Sequence, residues 1–498
     1  MSRAAFLSRR IGRAPGFYRQ SFVAAASLAA VASAVVFCSA GRYFEAAGAS
    51  AIAITSALLL AGRVPVEAIL IFWLAATPVL SFFVRFPVEK SIITFDRAIF
   101  AGLALVLFVR SKQSGGEARP LRLRATKFEI FWALLSLAAV ASVAVKSEEV
   151  GYAGKLALDS FILPLLAFHI ARNHFRAKGR GAALVMAAVA LALILFATGA
   201  FEFLSGTNLL QYKGSELVRE GERRVNGPFA SDSSYAIICL LISTFLLAAP
   251  KIFRVRMDAG AQLLHALALS SVVIATLLPL FRAVAFALAI GWIIYAKANQ
   301  RREGRRARAA GLSTKAALLL IGSLTASAVI AWAALFGVAS LTERLASPRN
   351  VYGRLATWEA AAKIALENPA SGVGLGNYTR YYSKKYSSTG DVQESILETR
   401  AASSPHSNLF WIAAELGLVA CLFYVAAFVF IFLMGYRALV RARTPEQRAA
   451  AACYIAIASA YSISGLTLTS GAYSDLNLYF FFLLGLLLSA SKGGREAA

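Results

Sequence analysis

Hydrophobic residues form long runs along the whole chain, and short polar or charged segments separate them. A helix needs about 20 mainly apolar residues to cross a hydrocarbon core roughly 30 Å thick, and most of the runs are near that length. The pattern predicts about fourteen transmembrane helices, near residues 21–40, 46–62, 64–84, 92–109, 128–145, 153–171, 181–204, 233–250, 261–280, 283–297, 316–340, 407–434, 449–469 and 475–490. The second run is short and contains glycine, so twelve or thirteen helices also fit the pattern.

The polar segments between these runs fall into two classes by charge. Strongly basic segments lie at 110–127, 172–180, 251–256, 297–315 and 436–448. They alternate with segments of more balanced charge at 85–90, 146–152, 205–232, 281–282 and 341–405. Because membrane proteins concentrate Lys and Arg in cytoplasmic loops, we expect the basic segments and both termini to be cytoplasmic and the balanced segments to lie outside.

Composition narrows the class of protein further. The chain has 498 residues, of which 58% are hydrophobic and 15% charged, whereas a soluble domain has roughly a quarter charged residues. The net charge of +25 follows the topology, so it does not indicate a nucleic-acid partner. The four cysteines fall in or beside apolar runs and show no metal-binding or disulfide spacing. We therefore expect an all-α polytopic membrane protein in the lipid bilayer, with an uncleaved first helix and no metal or cofactor.

Two of the expected outer loops are large, and the second has internal structure. Apolar residues at helical spacing over 351–369 predict an amphipathic helix on the outer leaflet, ended by Pro369. The glycine run "GVGLGNY" follows it. No strand precedes this run, so it is a weak nucleotide motif, and a turn that brings backbone close to a ligand is the favoured interpretation.

Three side chains of the outer face can carry chemistry. His406 is the only one of the four histidines expected outside, and it could either cap a helix or act as a general base. Arg282 and Arg354 could extend to lipid headgroups or could bind a diphosphate, whose oxygens the guanidinium fork matches.

The sequence resembles the O-antigen ligase and Wzy-type polymerase superfamily at these residues. "HSNLFWIAAELG" matches the family pattern of His, then Asn, Ser or Gln, then nine residues and Gly, starting at His406. "GRLATWEAAAKIALENPASGVGLGNY" is similar to an Arg-x-x-x-Trp segment leading to a glycine run, and "FRAVAFALAI" to the arginine that opens a helix before the large outer loop. "RRVNGPFASDSSYA" resembles an Arg-x-x-Gly-x-Phe segment of the family.

The resemblance implies a GT-C-like, metal-independent, inverting glycosyltransferase of the bacterial inner membrane. The donor would be a glycan on undecaprenyl diphosphate, and the acceptor a hydroxyl of a polysaccharide or of lipid A-core on the periplasmic side. Arg282 and Arg354 would hold the diphosphate, and His406 would orient or deprotonate the acceptor. The residues implied as substrate contacts are Arg224, Asn226, Trp358, Asn377 and Asn408.

The same resemblance suggests three regions. Residues 1–204 would form an N-terminal transmembrane bundle, and residues 205–434 the catalytic region with outer loops 205–232 and 341–406, the larger one before the twelfth helix. Residues 435–498 would form the C-terminal helices and a cytoplasmic tail.

Two alternatives to a ligase remain open from the sequence. A Wzy-type polymerase differs only in using a growing chain as acceptor. A polysaccharide transporter or flippase would need polar groups inside the bilayer. Asp96, Arg97, Asp159 and Glu202 lie within or at the ends of apolar runs and keep that alternative open.

Overall fold

A computed structural model describes residues 65–83, 85–86, 93–113, 125–175, 179–209, 218–219, 222–223, 225–229, 231–279, 281–300, 349–386 and 404–492. The helices of this part are α1 (Val66–Phe83), α2 (Phe95–Gln113), α3 (Lys127–Val145), α4 (Val150–Ala157), α5 (Leu163–His174), α6 (Gly181–Ser205), α7 (Asp232–Ile252), α8 (Ala259–Leu277), α9 (Arg282–Gln300), α10 (Arg349–Glu367), α11 (Tyr378–Tyr386), α12 (Asn408–Arg441), α13 (Pro445–Thr467) and α14 (Ser474–Lys492). A π-helical turn (Leu158–Ile162) joins α4 to α5, and a 3-10 turn (Ser470–Ala472) lies between α13 and α14. The described residues also contain two antiparallel pairs of two-residue strands. They are β1 (Arg85–Phe86) with β2 (Ile93–Thr94) and β3 (Val218–Arg219) with β4 (Glu222–Arg223).

Eight helical segments of the described residues are long and apolar enough to cross a membrane. They are Lys127–Val145, Val150–His174, Gly181–Ser205, Asp232–Ile252, Ala259–Leu277, Asn408–Arg441, Pro445–Thr467 and Ser474–Lys492. The protein is therefore an all-α polytopic membrane protein, as predicted. The runs 21–40, 46–62 and 316–340 lie outside the described residues, so the total of about fourteen stays a prediction.

Contacts at one end of the bundle join the segments that the sequence assigns to the cytoplasm. The guanidinium of Arg254, which follows α7, lies 2.9 Å from the carboxylate of Glu446 at the start of α13. The hydroxyl of Ser489 near the end of α14 donates to the carbonyl of Phe175 at 3.2 Å. The ends of α5, α7 and α14 and the start of α13 therefore meet at one end.

The segments assigned to the outside meet at the opposite end. The hydroxyl of Ser147, just after α3, donates to the carbonyl of Leu375 at 2.9 Å. Ser404, which precedes α12, is hydrogen-bonded to Thr469, which follows α13. The basic connections described here thus lie at one end of the bundle, and the connections of balanced charge lie at the other.

Aromatic rings fill the space between α3 and the last three helices. The rings of Trp132 and Phe481 are 4.6 Å apart, and those of Tyr461 and Phe480 stack at 3.8 Å with an interplanar angle of 11°. Such pairs contribute about 0.5–1.5 kcal/mol beyond the burial of their area. They pack α3, α12, α13 and α14 against one another.

Charged residues inside the bundle are bonded to other protein groups. The guanidinium of Arg97 in α2 makes two hydrogen bonds to the carboxylate of Asp159, at 2.8 and 2.6 Å, and both residues are buried. Asp159 lies in the π-helical turn. The neighbouring Asp96 accepts a 2.7 Å hydrogen bond from the indole nitrogen of Trp73. Buried charges require partners of this kind, so these groups serve to join helices.

Candidate active site

Helix α12 is broken at Gly417, which has φ 87° and ψ 173°. The break changes the partners of the backbone on both sides of it. The amide of Leu418 donates to the carbonyl of Pro369 at 2.8 Å, and the carbonyl of Ala414 accepts from the amide of Val373 at 2.9 Å. The first turns of α12 are thus joined by backbone hydrogen bonds to the segment that follows α10.

The glycine run lies against this break. Gly372, Gly374 and Gly376 all have positive φ, at 63°, 102° and 80°, a conformation that costs glycine little. A Cβ on Gly372 would overlap the backbone of Glu415. We expected the run to bring backbone close to a ligand. At Gly372 the structure instead brings it against the backbone of α12.

The carboxylate of Glu415 holds the end of this run. It accepts hydrogen bonds from the backbone amides of Gly376 at 2.9 Å and Tyr378 at 3.1 Å, and from the indole nitrogen of Trp411 at 2.8 Å. Glu415 is only 3% exposed. Glu415 was not predicted from the sequence, although a lone glutamate four residues after Trp411 in an apolar run is a signal for it.

The loop after α3 also holds the glycine run. The ammonium of Lys146 donates to the carbonyl of Gly372 at 2.8 Å. The side-chain amide of Asn377 donates to the carbonyls of Lys146 and Val373, both at 3.0 Å. Both donor hydrogens of Asn377 therefore have protein partners. The predicted contact of Asn377 with substrate stays a prediction, and the structure shows its role in holding the loop.

The predicted amphipathic helix is present as α10. It packs on the first turns of α12 through Ala361 and Ile364, and the ring of Trp358 stacks on that of Phe410 at 5.6 Å. Leu355 and Leu366, two of the residues whose spacing predicted the helix, are 49% and 71% exposed. The buried face is thus a different one from the face that the spacing singled out, because α10 also packs on protein.

Arg354 lies one helical turn before Trp358 in α10 and is half-buried. The hydroxyl of Thr357 donates to the backbone carbonyl of Arg354 at 2.9 Å. Because α10 packs on the start of α12, the fold brings the helix of Arg354 to the end of the bundle where His406 lies.

His406 lies just before α12 in a left-handed conformation, with φ 49°. This region is uncommon for residues other than glycine and is found at functional sites. Its backbone amide donates to the hydroxyl of Ser404 at 3.2 Å. The N-cap position of α12 belongs to Ser407. His406 therefore lies one residue before the cap, and both interpretations of its side chain stay predictions.

Arg282 begins α9 and is exposed. The other end of α9 lies at the end of the bundle assigned to the cytoplasm, where the ammonium of Lys251 is 3.4 Å from the side-chain oxygen of Asn299. Arg282 therefore lies at the opposite end, together with His406 and Arg354. The three residues come from three elements far apart in the sequence.

The other predicted contacts are placed as follows. The side chain of Asn408 donates to the hydroxyl of Ser470 at 2.8 Å and accepts from the amide of Gly471 at 2.7 Å. It joins α12 to the 3-10 turn. Asn226 is buried, and its backbone amide donates to the carboxylate of Glu202 at 3.1 Å. Arg224 lies outside the described residues.

Glu202 is one of the charged residues that kept a transporter open as an alternative. Its carboxylate also accepts from the backbone amide of Gly227 at 2.7 Å, so it fastens the loop after β4 to α6. In the part of the chain that the structure describes, no group of three or more His, Cys, Asp or Glu side chains is arranged to hold a metal ion.

Comparison with known families gives a match over the region that contains these residues. Residues 265–425 match the family model described as O-Antigen ligase. This part of the chain is therefore similar to that family. The O-antigen ligase match includes Arg282, Arg354, His406 and the break at Gly417, whereas Arg224 and Asn226 precede it. A search of curated proteins gave no match.

Proposed function

We propose that the protein transfers a glycan from undecaprenyl diphosphate to an acceptor hydroxyl at the periplasmic face of the bacterial inner membrane, as an O-antigen ligase. The observation that carries the proposal is the placement of Arg282, Arg354 and His406 at one end of the bundle, inside the region that matches the O-antigen ligase family. Charge placement along the sequence assigns that end to the outside.

The proposed reaction forms one bond and breaks one bond at the anomeric carbon. The acceptor oxygen attacks this carbon from the face opposite the lipid diphosphate, so the configuration inverts. The imidazole of His406 orients the hydroxyl and takes its proton. The bond to the diphosphate oxygen breaks, and Arg282 and Arg354 stabilise the negative charge that develops there, which is the effect of preorganised cations on such barriers.

A transporter is the less favoured alternative on the described structure. Arg97, Asp159, Asp96 and Glu202 each bond to protein groups that tie helices or loops together. The residues suited to bond chemistry lie at one end of the bundle.

Reconstitution with a lipid-linked glycan and an acceptor tests the transfer. We expect Arg282→Lys and Arg354→Lys each to lower the transfer rate about a hundredfold, because lysine cannot bind two oxygens with a rigid fork. We expect His406→Ala to lower the rate as well, by about a hundredfold or more. Arg256→Ala, an exposed arginine at the other end, is the matched control and should keep full activity. Translocation of glycan without release of the diphosphate lipid would contradict the proposal.

The acceptor decides between ligase and polymerase. Deletion of the gene followed by a gel of surface polysaccharide separates the two. A ligase deletion leaves unattached long chains, and a polymerase deletion leaves products with a single repeat.

A further inference from the structure

A cavity of about 770 Å³ lies beside the segment that leads to His406. Its wall comes from α4, the residues after the glycine run, α11, the start of α12 and the turn after α13. Ser404 and Pro405, which immediately precede His406, line it. Its volume is within the roughly 300–1,000 Å³ typical of small-molecule sites.

Hydroxyl groups are the commonest polar groups of this wall. They belong to Tyr152, Thr379, Ser383, Ser404 and Thr469. The hydroxyls of Ser404 and Thr469 are hydrogen-bonded to each other. Each hydroxyl can both donate and accept a hydrogen bond, as the hydroxyls of a sugar do. Trp411 and the tyrosines add aromatic surface, against which the apolar face of a sugar ring can pack.

Acidic side chains accompany the cations of the wall. The cavity is lined by Arg380, Lys384, Glu149 and Glu415. The guanidinium of Arg380 lies 2.8 Å from Glu149 and 2.5 Å from the neighbouring Glu148. The hydrogen bond that Arg380 donates to Glu148 raises the pKa of the guanidinium above its usual value. Because the guanidinium of Arg380 is already paired with two carboxylates, the wall favours a neutral ligand over a phosphate, which is usually held by unpaired cations.

We infer that this cavity binds a neutral sugar unit of the acceptor beside the segment that leads to His406. Among the described residues that line it, neither Arg282 nor Arg354 is present, so the cavity is separate from the two arginines assigned to the donor diphosphate. The identity of the sugar as the acceptor rests on the proposed function. The binding of a sugar does not.

Protection of an introduced cysteine tests the binding directly. Ser383 lines the cavity and is exposed on α11, and Lys385 is exposed on the same helix but does not line it. Full-length protein carrying Ser383→Cys or Lys385→Cys is labelled with a maleimide, with Cys38 and Cys421 replaced by serine, since Cys239 and Cys453 are buried. The probes are the neutral oligosaccharide released by mild acid from the surface polysaccharide of the producing strain, and inorganic diphosphate.

We expect the oligosaccharide to slow labelling of Ser383→Cys and to leave Lys385→Cys unchanged. At a probe concentration of ten times Kd, mass action slows labelling about tenfold. Protection by diphosphate without protection by the oligosaccharide would identify an anion site and overturn the inference.

Transfer kinetics provide the second measurement. Ser383→Trp should raise the KM for the acceptor and leave the KM for the donor unchanged, whereas Lys385→Trp should change neither. If the unmodified protein transfers glycan but the oligosaccharide protects nothing and Ser383→Trp has no effect, the sugar site is wrong and the proposed function stands. If the oligosaccharide protects Ser383→Cys but the unmodified protein transfers nothing, the sugar site stands and the proposed function is wrong.

Discussion

At the scale of single residues, Glu415 shows how one side chain can order a whole loop. Its carboxylate lies inside the protein and accepts three hydrogen bonds from groups of two segments. Tyr378 is the first residue of α11, and a carboxyl oxygen bonded to its amide stabilises the start of that helix. The position of α11, and with it one wall of the cavity, therefore depends on this carboxylate.

Replacement of Glu415 by alanine should destabilise the protein. Three donors would lose their acceptor, and a buried donor left without a partner costs about 1–3 kcal/mol, so a loss on the order of 3 kcal/mol is expected. Thermal unfolding of the purified protein in detergent measures it. Glu359, which makes only an exposed pair with Lys363, supplies the control Glu359→Ala. An equal, small change in both variants would show that Glu415 does not hold the loop.

At the scale of elements, the break at Gly417 lets α12 and the segment after α10 interlock. A Cβ on Gly417 would lie 2.7 Å from the backbone carbon of Ala370 and from the backbone nitrogen of Ser371. These are backbone atoms, which cannot move aside for a Cβ as the end of a flexible side chain can. The positive φ of Gly417 adds a conformational cost for any other residue.

Gly417→Ala should therefore lower the apparent melting temperature, and it should lower activity because it displaces the start of α12. The matched variant is Gly353→Ala in α10, where a Cβ would meet nothing within 4 Å. There alanine should be neutral or should stabilise by up to about 1 kcal/mol, as in other helix interiors. Comparison of the two melting curves checks this. An unchanged melting temperature for Gly417→Ala would contradict the proposed interlock.

The buried pair between α2 and the π-helical turn can be tested by a double-mutant cycle. Removal of one partner leaves an uncompensated buried charge, so Asp159→Ala or Arg97→Ala should each destabilise by about 3–5 kcal/mol. The double variant should lose much less than the sum of the two single losses. Additive losses would mean that Arg97 and Asp159 contribute separately.

At the scale of the whole molecule, the two ends of the bundle differ in charge and in chemistry. One end carries the segments rich in Lys and Arg, such as 251–256 and 436–448. The other carries the glycine run, the cavity and the residues assigned to transfer. Separation of this kind fits an enzyme that meets its lipid-linked donor at one membrane surface.

Cysteine labelling can determine which end faces outward. We expect Glu149→Cys to react with a membrane-impermeant maleimide in spheroplasts, because position 149 lies at the end assigned to the periplasm. Arg256→Cys should react only after the membrane is broken. Labelling of Arg256→Cys in intact spheroplasts would show that the topology is the reverse of the predicted one and that the proposed site faces the cytoplasm.

Within the described residues, the sequence alone determined most of the long apolar helices and which of their connections share an end of the bundle. The length and hydropathy of a segment predict a helix, because the backbone has no water to bond to inside a membrane and a helix satisfies its hydrogen bonds internally. Family motifs likewise led to Arg282, Arg354 and His406. These signals are local, so they can be read from neighbouring residues.

Only the tertiary structure decided what the polar residues between the helices bond to. Asn377, Asn408 and the glycine run suggested ligand contacts, yet in the fold each of them is bonded to at least one protein group distant in the sequence. The bonds from the glycine run to Glu415 and the cavity also depend on contacts between segments, so the sequence did not predict them. Hydrogen bonds between loops depend on how α3, α10 and α12 pack, and no spacing within one segment encodes that packing.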